Sequence, residues 1–513
     1  MLSRVLSGAV LGIDAYLVRV EADVSSGLPT FATVGLPQGA VKESEKRVIA
    51  AVRNSGFDVP PRRIVINLAP ADVRKEGSAF DLPIAIGILA STGQLPERDF
   101  GGYVLLGELG LDGVLRPVRG ALSIAVAARD HGLRGLILPA ENVPEAAIVS
   151  GVEVRGARSL RQVAQFFNGA DEIPPAAPTR RSDADPQHPS SLDLADVRGQ
   201  EHAKRALEVA AAGAHNILLV GPPGSGKTML ARRIPGILPS LAPEEALEST
   251  KIHSVAGLLP GNVPLLSTPP FRAPHHTISD AGLIGGGSHP RPGEVSLAHN
   301  GVLFLDELPE FRRNVLEAMR QPLEDGEVTI ARAGSTLSYP ARFMLIGAMN
   351  PCPCGYFGDS GGGCRCPPTL VQRYMSRISG PLLDRIDIHL EVPAVSRQAL
   401  TRGPPGAEAS GHVRARVVAA RERQRQRFTS CRSVHANAQM GAAEVRTFCT
   451  VDRTARALLQ AAVSRLGLSA RAYYRVIKLA RTIADLEDSE QIATAHVAEA
   501  VQYRSLDRMR RSC

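Results

Sequence analysis

Short apolar runs rich in branched residues recur through the middle of the chain, at Asn216–Val220, Gly301–Leu305 and Phe343–Ala348, separated by stretches of helical character. That alternation predicts buried parallel strands joined by crossover helices, an α/β fold. Toward the C-terminus the pattern turns helical: Val451–Leu466 is stopped by Gly467, and Ser469–Leu486 opens on a serine in N-cap position. At the N-terminus a short apolar run interrupted by Asp14 predicts a first strand, and no small-residue cleavage site follows to mark a signal peptide.

Two compositional breaks divide the pattern. Residues 171–191 concentrate Pro, Ser, Asp and Arg and predict a linker, and TRGPPGAEASG at 401–411 is the second break. The expected organisation is an N-terminal α/β domain at 1–168, a linker at 169–191, a parallel-sheet core at 192–400 and a small helical domain at 401–513. With 513 residues, 44% apolar and 21% charged, the chain is a packed multidomain protein, which excludes disorder, collagen and coiled coil as global descriptions. No apolar run reaches the roughly 20 residues a bilayer demands. Seven cysteines in a chain too large to need disulfide staples point to a reduced, cytoplasmic setting. A net charge of +8 permits a polyanionic partner without requiring one.

GPPGSGKT at 221–228 follows a strand-like run and leads into a helix, the context in which such a loop binds phosphates. Gly221, Gly224 and Gly226 let the backbone wrap an anion, with Pro222, Pro223 and Ser225 completing the loop. Lys227 is placed to meet the β and γ oxygens of ATP, and the Thr228 hydroxyl to ligate Mg2+. In GVLFLDELPE, 301–310, a strand ends in paired acids: Asp306 to hold magnesium through water, Glu307 to polarise the attacking water. The strand FMLIGAMN ends at Asn350, on the sheet edge where open α/β folds place ligand groups; it is either a water-orienting group or a turn residue.

These residues resemble an AAA+ ATPase, and within that class the magnesium chelatase and MCM branch. LEDGEVTIARAGSTLSYPARFMLIGAMNPCPCG at 323–355 resembles that branch's β-hairpin before the sensor Asn, and residues 277–295 occupy the place of its helix-2 insert. Over essentially its full length the chain resembles the YifB/ComM family of magnesium-chelatase-like ATPases, whose ComM member is a hexameric helicase promoting branch migration during natural transformation. The resemblance implies a hexameric ring that binds DNA without sequence specificity; the alternative is a chelatase-type ATPase that remodels a partner protein. PLLDRIDIH at 381–389 is similar to the segment supplying the arginine finger, which makes Arg385 the finger, and LSARAYYRVIKLAR at 468–481 is similar to the sensor-2 helix of the lid, with Arg471 the matching residue. Residues 1–168 resemble the proteolytic domain of Lon, but the nucleophile position falls at Ala79 and the lysine position at Leu122, so no peptidase activity is expected.

Cys352, Cys354, Cys364 and Cys366 form two C-x-C pairs around a Gly-rich stretch. They suit either a structural tetrahedral zinc site or free or redox-labile thiols. Six arginines between Arg414 and Arg427 suit a phosphate-binding helix, a solvated face or a surface that docks the next subunit. Lys251, Arg272, His275, His276 and Arg291 flank the insert and are candidates to line a pore.

Overall fold

The structure is a computed structural model that describes all residues except 1, 38–39, 72–74, 76, 97–99, 101, 178–191, 260–262, 288–290, 333–334, 359–362, 395–407, 432–433, 467–468 and 505–513. Most of the expected linker, most of the break at 401–411 and Gly467 therefore lie outside the described residues. The chain forms two compact units, one of residues 1–183 with 246–266 and one of 184–245 with 267–513.

The first unit is built on a seven-stranded mixed sheet. Leu2–Leu11, the expected first strand, pairs antiparallel with Asp14–Ser25 and parallel with Tyr103–Leu105. Helix Asp81–Ser91 is buried at every position, as the apolar run between Asp81 and Ser91 dictates, and the buried Asp81 pairs with Arg47. Residues 246–266 lie within 192–400 of the chain yet pack with this unit. Leu247 joins its apolar cluster, Lys251 Nζ pairs with Asp14 at 3.1 Å, and Ser254 Oγ donates to Glu145 Oε2 at 2.6 Å. Lys251 thus belongs to a different unit from Arg272, His275, His276 and Arg291, with which it was grouped.

The second unit carries the predicted parallel sheet, five strands in the order Phe271–Arg272, Val302–Leu305, Met344–Met349, Ile217–Val220 and Ile388–Glu391. The three central strands are wholly buried, which explains their continuous rather than alternating apolar sequence. The expected hairpin is present as Glu327–Arg332 against Ser335–Pro340. Between Ser410 and Gln502 the described residues are mostly helical and form no strand, with Ser469 capping helix Ala470–Leu486 through the Ala472 amide. The arginine-rich stretch is helix Ser410–Arg427, and its guanidinium groups are engaged within the chain: Arg416 with Glu208 and Glu408, Arg423 with Asp488, Arg427 with Asp485. Among the described residues no helix is long and apolar enough to cross a membrane.

Candidate nucleotide site

All of the central strands are parallel, so their C-terminal ends share one edge, and the sequence places a functional group after each. After Ile217–Val220 comes the phosphate loop. Gly221 admits no side chain, since a Cβ there would stand 2.1 Å from the Val392 carbonyl oxygen. Gly224 and Gly226 adopt φ of 74° and 90°, the left-handed region that turns backbone amides toward an anion. Helix Lys227–Ala231 then begins. Lys227 Nζ donates to the carbonyls of Gly221 (2.7 Å) and Pro222 (2.9 Å), bonds that γ-phosphate oxygens can replace. Burial lowers the pKa of this ammonium and Asp306 opposes the shift.

Asp306 and Glu307 follow Val302–Leu305. Thr228 Oγ1 donates to Asp306 Oδ2 at 2.7 Å, which brings together the hydroxyl and carboxylate that magnesium needs. Glu307 stands at φ 52°, unusual for a residue with a side chain. Its carboxylate is 3.3 Å from His276 Nδ1. His276 was a pore candidate in the sequence; what places it here is its position four residues beyond strand Phe271–Arg272, whose parallel pairing with Val302–Leu305 sets the two chain ends side by side. After Met344–Met349 comes Asn350, whose Oδ1 accepts from Lys227 Nζ at 3.2 Å. Residues scattered over 130 positions thus meet at one sheet edge, with atoms in hydrogen-bond range.

Arg385 and Arg471 are placed elsewhere. Both line a cleft of about 770 Å³ that, among the described residues, includes none of 221–228. Arg385 pairs with Glu324, and its Nε has no partner among the described residues.

The four cysteines converge as well: their sulfurs all lie within 4.8 Å of one another. Cys352 Sγ is 3.8 Å from Cys364 Sγ, and Cys354 Sγ is 3.7 Å from Cys364 Sγ. Zinc–sulfur bonds of about 2.3 Å at tetrahedral angles separate sulfurs by about 3.8 Å. The Tyr356 amide, with the Cys352 thiol, lowers the Cys354 pKa to about 6, whereas the thiols around them raise those of Cys364 and Cys366 against hydrogen bonds from backbone amides.

Comparison with known proteins agrees with this architecture. A family model described as Magnesium chelatase, subunit ChlI matches residues 193–400. Models described as Subunit ChlI of Mg-chelatase and as Magnesium chelatase, subunit ChlI C-terminal match 20–142 and 407–504. Competence protein ComM of Haemophilus influenzae is 45% identical over 99% of this chain and 98% of its own length. Uncharacterized protein YifB of Escherichia coli is 46% identical over 99% and 98%. The Magnesium-chelatase 38 kDa subunit of Rhodobacter capsulatus is 26% identical over 44% of this chain and 68% of its own. The chain therefore belongs to the YifB/ComM family of magnesium-chelatase-like AAA+ proteins.

Proposed function

We propose that the protein is a ring-forming ATP hydrolase that translocates on DNA, a branch-migration helicase of recombination or natural transformation. The observation that carries the ATPase reading is the convergence of Lys227, Thr228, Asp306, Glu307 and Asn350 on one sheet edge. The DNA reading rests on the 45% identity to Competence protein ComM. ATP would supply the phosphoryl group, and Thr228 and Asp306 would hold a Mg2+ ion whose charge would offset that of the phosphates. Glu307 accepts a proton from the attacking water, Asn350 orients that water, and Lys227 offsets charge on the phosphates. Arg385 and Arg471, sharing a cleft away from their own phosphate loop, serve the nucleotide of a neighbouring subunit, in a hexamer.

Residues 1–168 act as a Lon-like module without peptidase chemistry, residues 401–513 as the lid, and the cysteines hold structural zinc. The setting is cytoplasmic. The likeness to the Magnesium-chelatase 38 kDa subunit favours a second reading, remodelling of a partner protein. ATPase rate with and without single-stranded and forked DNA at two salt concentrations, with Lys227→Ala as the blank, separates the two. Stimulation that fades with salt supports the DNA motor; turnover indifferent to every DNA supports remodelling.

A further inference from the structure

The segment that carries the first cysteine pair touches the phosphate loop at three points. The Gly221 amide donates to the Met349 carbonyl at 3.2 Å. Lys227 Nζ donates to Asn350 Oδ1 at 3.2 Å. Gly355 lies so close to Pro223 that a Cβ on it would fall 2.5 Å from Pro223 Cδ, and its φ of 89° also requires glycine. Cys352 and Cys354 sit between the second and third of these contacts, and Cys352 is fully buried.

Between strand Met344–Met349 and helix Pro368–Met375 the described residues form neither helix nor strand. An irregular, Gly-rich segment of this kind has much conformational freedom to lose, and a cross-link between its ends removes part of that freedom in advance. The sulfur positions supply such a cross-link. On the other side of the contact, Pro223 and Gly224 are exposed, so few other groups hold the tip of the phosphate loop.

We propose that the four-cysteine site is a metal-dependent brace of the phosphate loop: bound zinc fixes residues 349–355 against Gly221, Pro223 and Lys227, so that nucleotide affinity depends on metal occupancy. This rests on the reading of the cluster as a zinc site. The metal acts at a distance from the chemistry, because four protein ligands leave it no open position. Its effect is preorganisation: a loop held in its binding conformation loses less freedom when the phosphates arrive.

The test measures zinc content and mant-ADP affinity in the same samples of full-length reduced protein, with magnesium present, before and after a chelator selective for zinc over magnesium. The expected result is a single zinc per chain and at least tenfold weaker mant-ADP binding after chelation, about 1.4 kcal/mol, reversed by added zinc. Gly355→Ala keeps all four thiols; it should retain its zinc and stay folded while binding mant-ADP more weakly. Zinc present, with affinity unmoved both by chelation and by Gly355→Ala, overturns the brace alone. Reduced protein that neither contains nor takes up zinc overturns the zinc reading and the brace with it.

Discussion

His276 Nδ1 lies 3.3 Å from Glu307 Oε2, and the His275 ring covers the His276 ring with 4.1 Å between centroids. The proposed proton acceptor is thus held by a side chain from the end of a neighbouring strand, while its own backbone sits in a left-handed conformation that costs on the order of 1 kcal/mol.

Replacing His276 should therefore move kcat and leave KM for ATP in place, since His276 touches Glu307 and not the phosphate loop. His276→Ala is expected to lower kcat by about ten- to a hundredfold, the scale on which a displaced reacting group loses rate. His276→Gln, which keeps a hydrogen-bond donor, should recover part of it. A rise in KM with kcat unchanged would place His276 in nucleotide binding instead.

Glu307→Gln should bind ATP with near wild-type affinity and turn over about 10²–10⁴ times more slowly. Rapid-quench measurement of phosphate release reads this directly, and wild-type-like turnover would remove Glu307 from the mechanism.

Because Arg385 lines a cleft without phosphate-loop residues, its loss and the loss of Glu307 should complement each other. Arg385→Ala alone is expected to fall about 10³-fold or more, as removed arginine fingers do. Mixing it with equally inactive Glu307→Gln protein creates interfaces with both groups intact, and activity should return. A mixture as inactive as its parts would mean that the arginine acts within its own chain.

Two buried histidines set the response to acid. Burial lowers the pKa of His215, against the pull of Asp387, and burial followed by Arg504 lowers that of His389. Below about pH 6.5 the unfolded chain takes up protons that these folded imidazoles do not, so stability is full above that pH and declines beneath it, by up to about 1.4 kcal/mol per pH unit for each histidine. Asp387, held low, contributes its stability throughout this range and loses it only in stronger acid. Melting temperature should fall between pH 7.5 and 5.5, and His215→Gln should flatten the slope; equal slopes would exclude His215 as a source.

Local signals made the core legible. Buried strands announced themselves as continuous branched runs, and the glycines of 221–228 marked a loop whose φ angles only glycine tolerates easily. Asn350 could be placed because its strand could. His276 was not legible as a partner of Glu307, since the pairing depends on which strands are neighbours, a relation between residues 31 positions apart that periodicity does not carry. The cleft shared by Arg385 and Arg471 is tertiary in the same sense. Nor does any local pattern distinguish residues 246–266, whose packing in the first unit is set by Leu247 joining its apolar cluster and by Lys251 and Ser254 meeting partners more than a hundred positions away.

That packing governs how the molecule can be taken apart. The polypeptide passes between its two units three times, at 183/184, 245/246 and 266/267, so a single cut in the chain does not liberate either. A protease nick in 178–191 leaves the N-terminal fragment clasped on 246–266, a stretch that remains covalently part of the ATPase polypeptide. The fragments should co-elute until denatured, and an N-terminal piece expressed alone would lack Leu247 and Ser254, which its apolar cluster and its half-buried Glu145 contact.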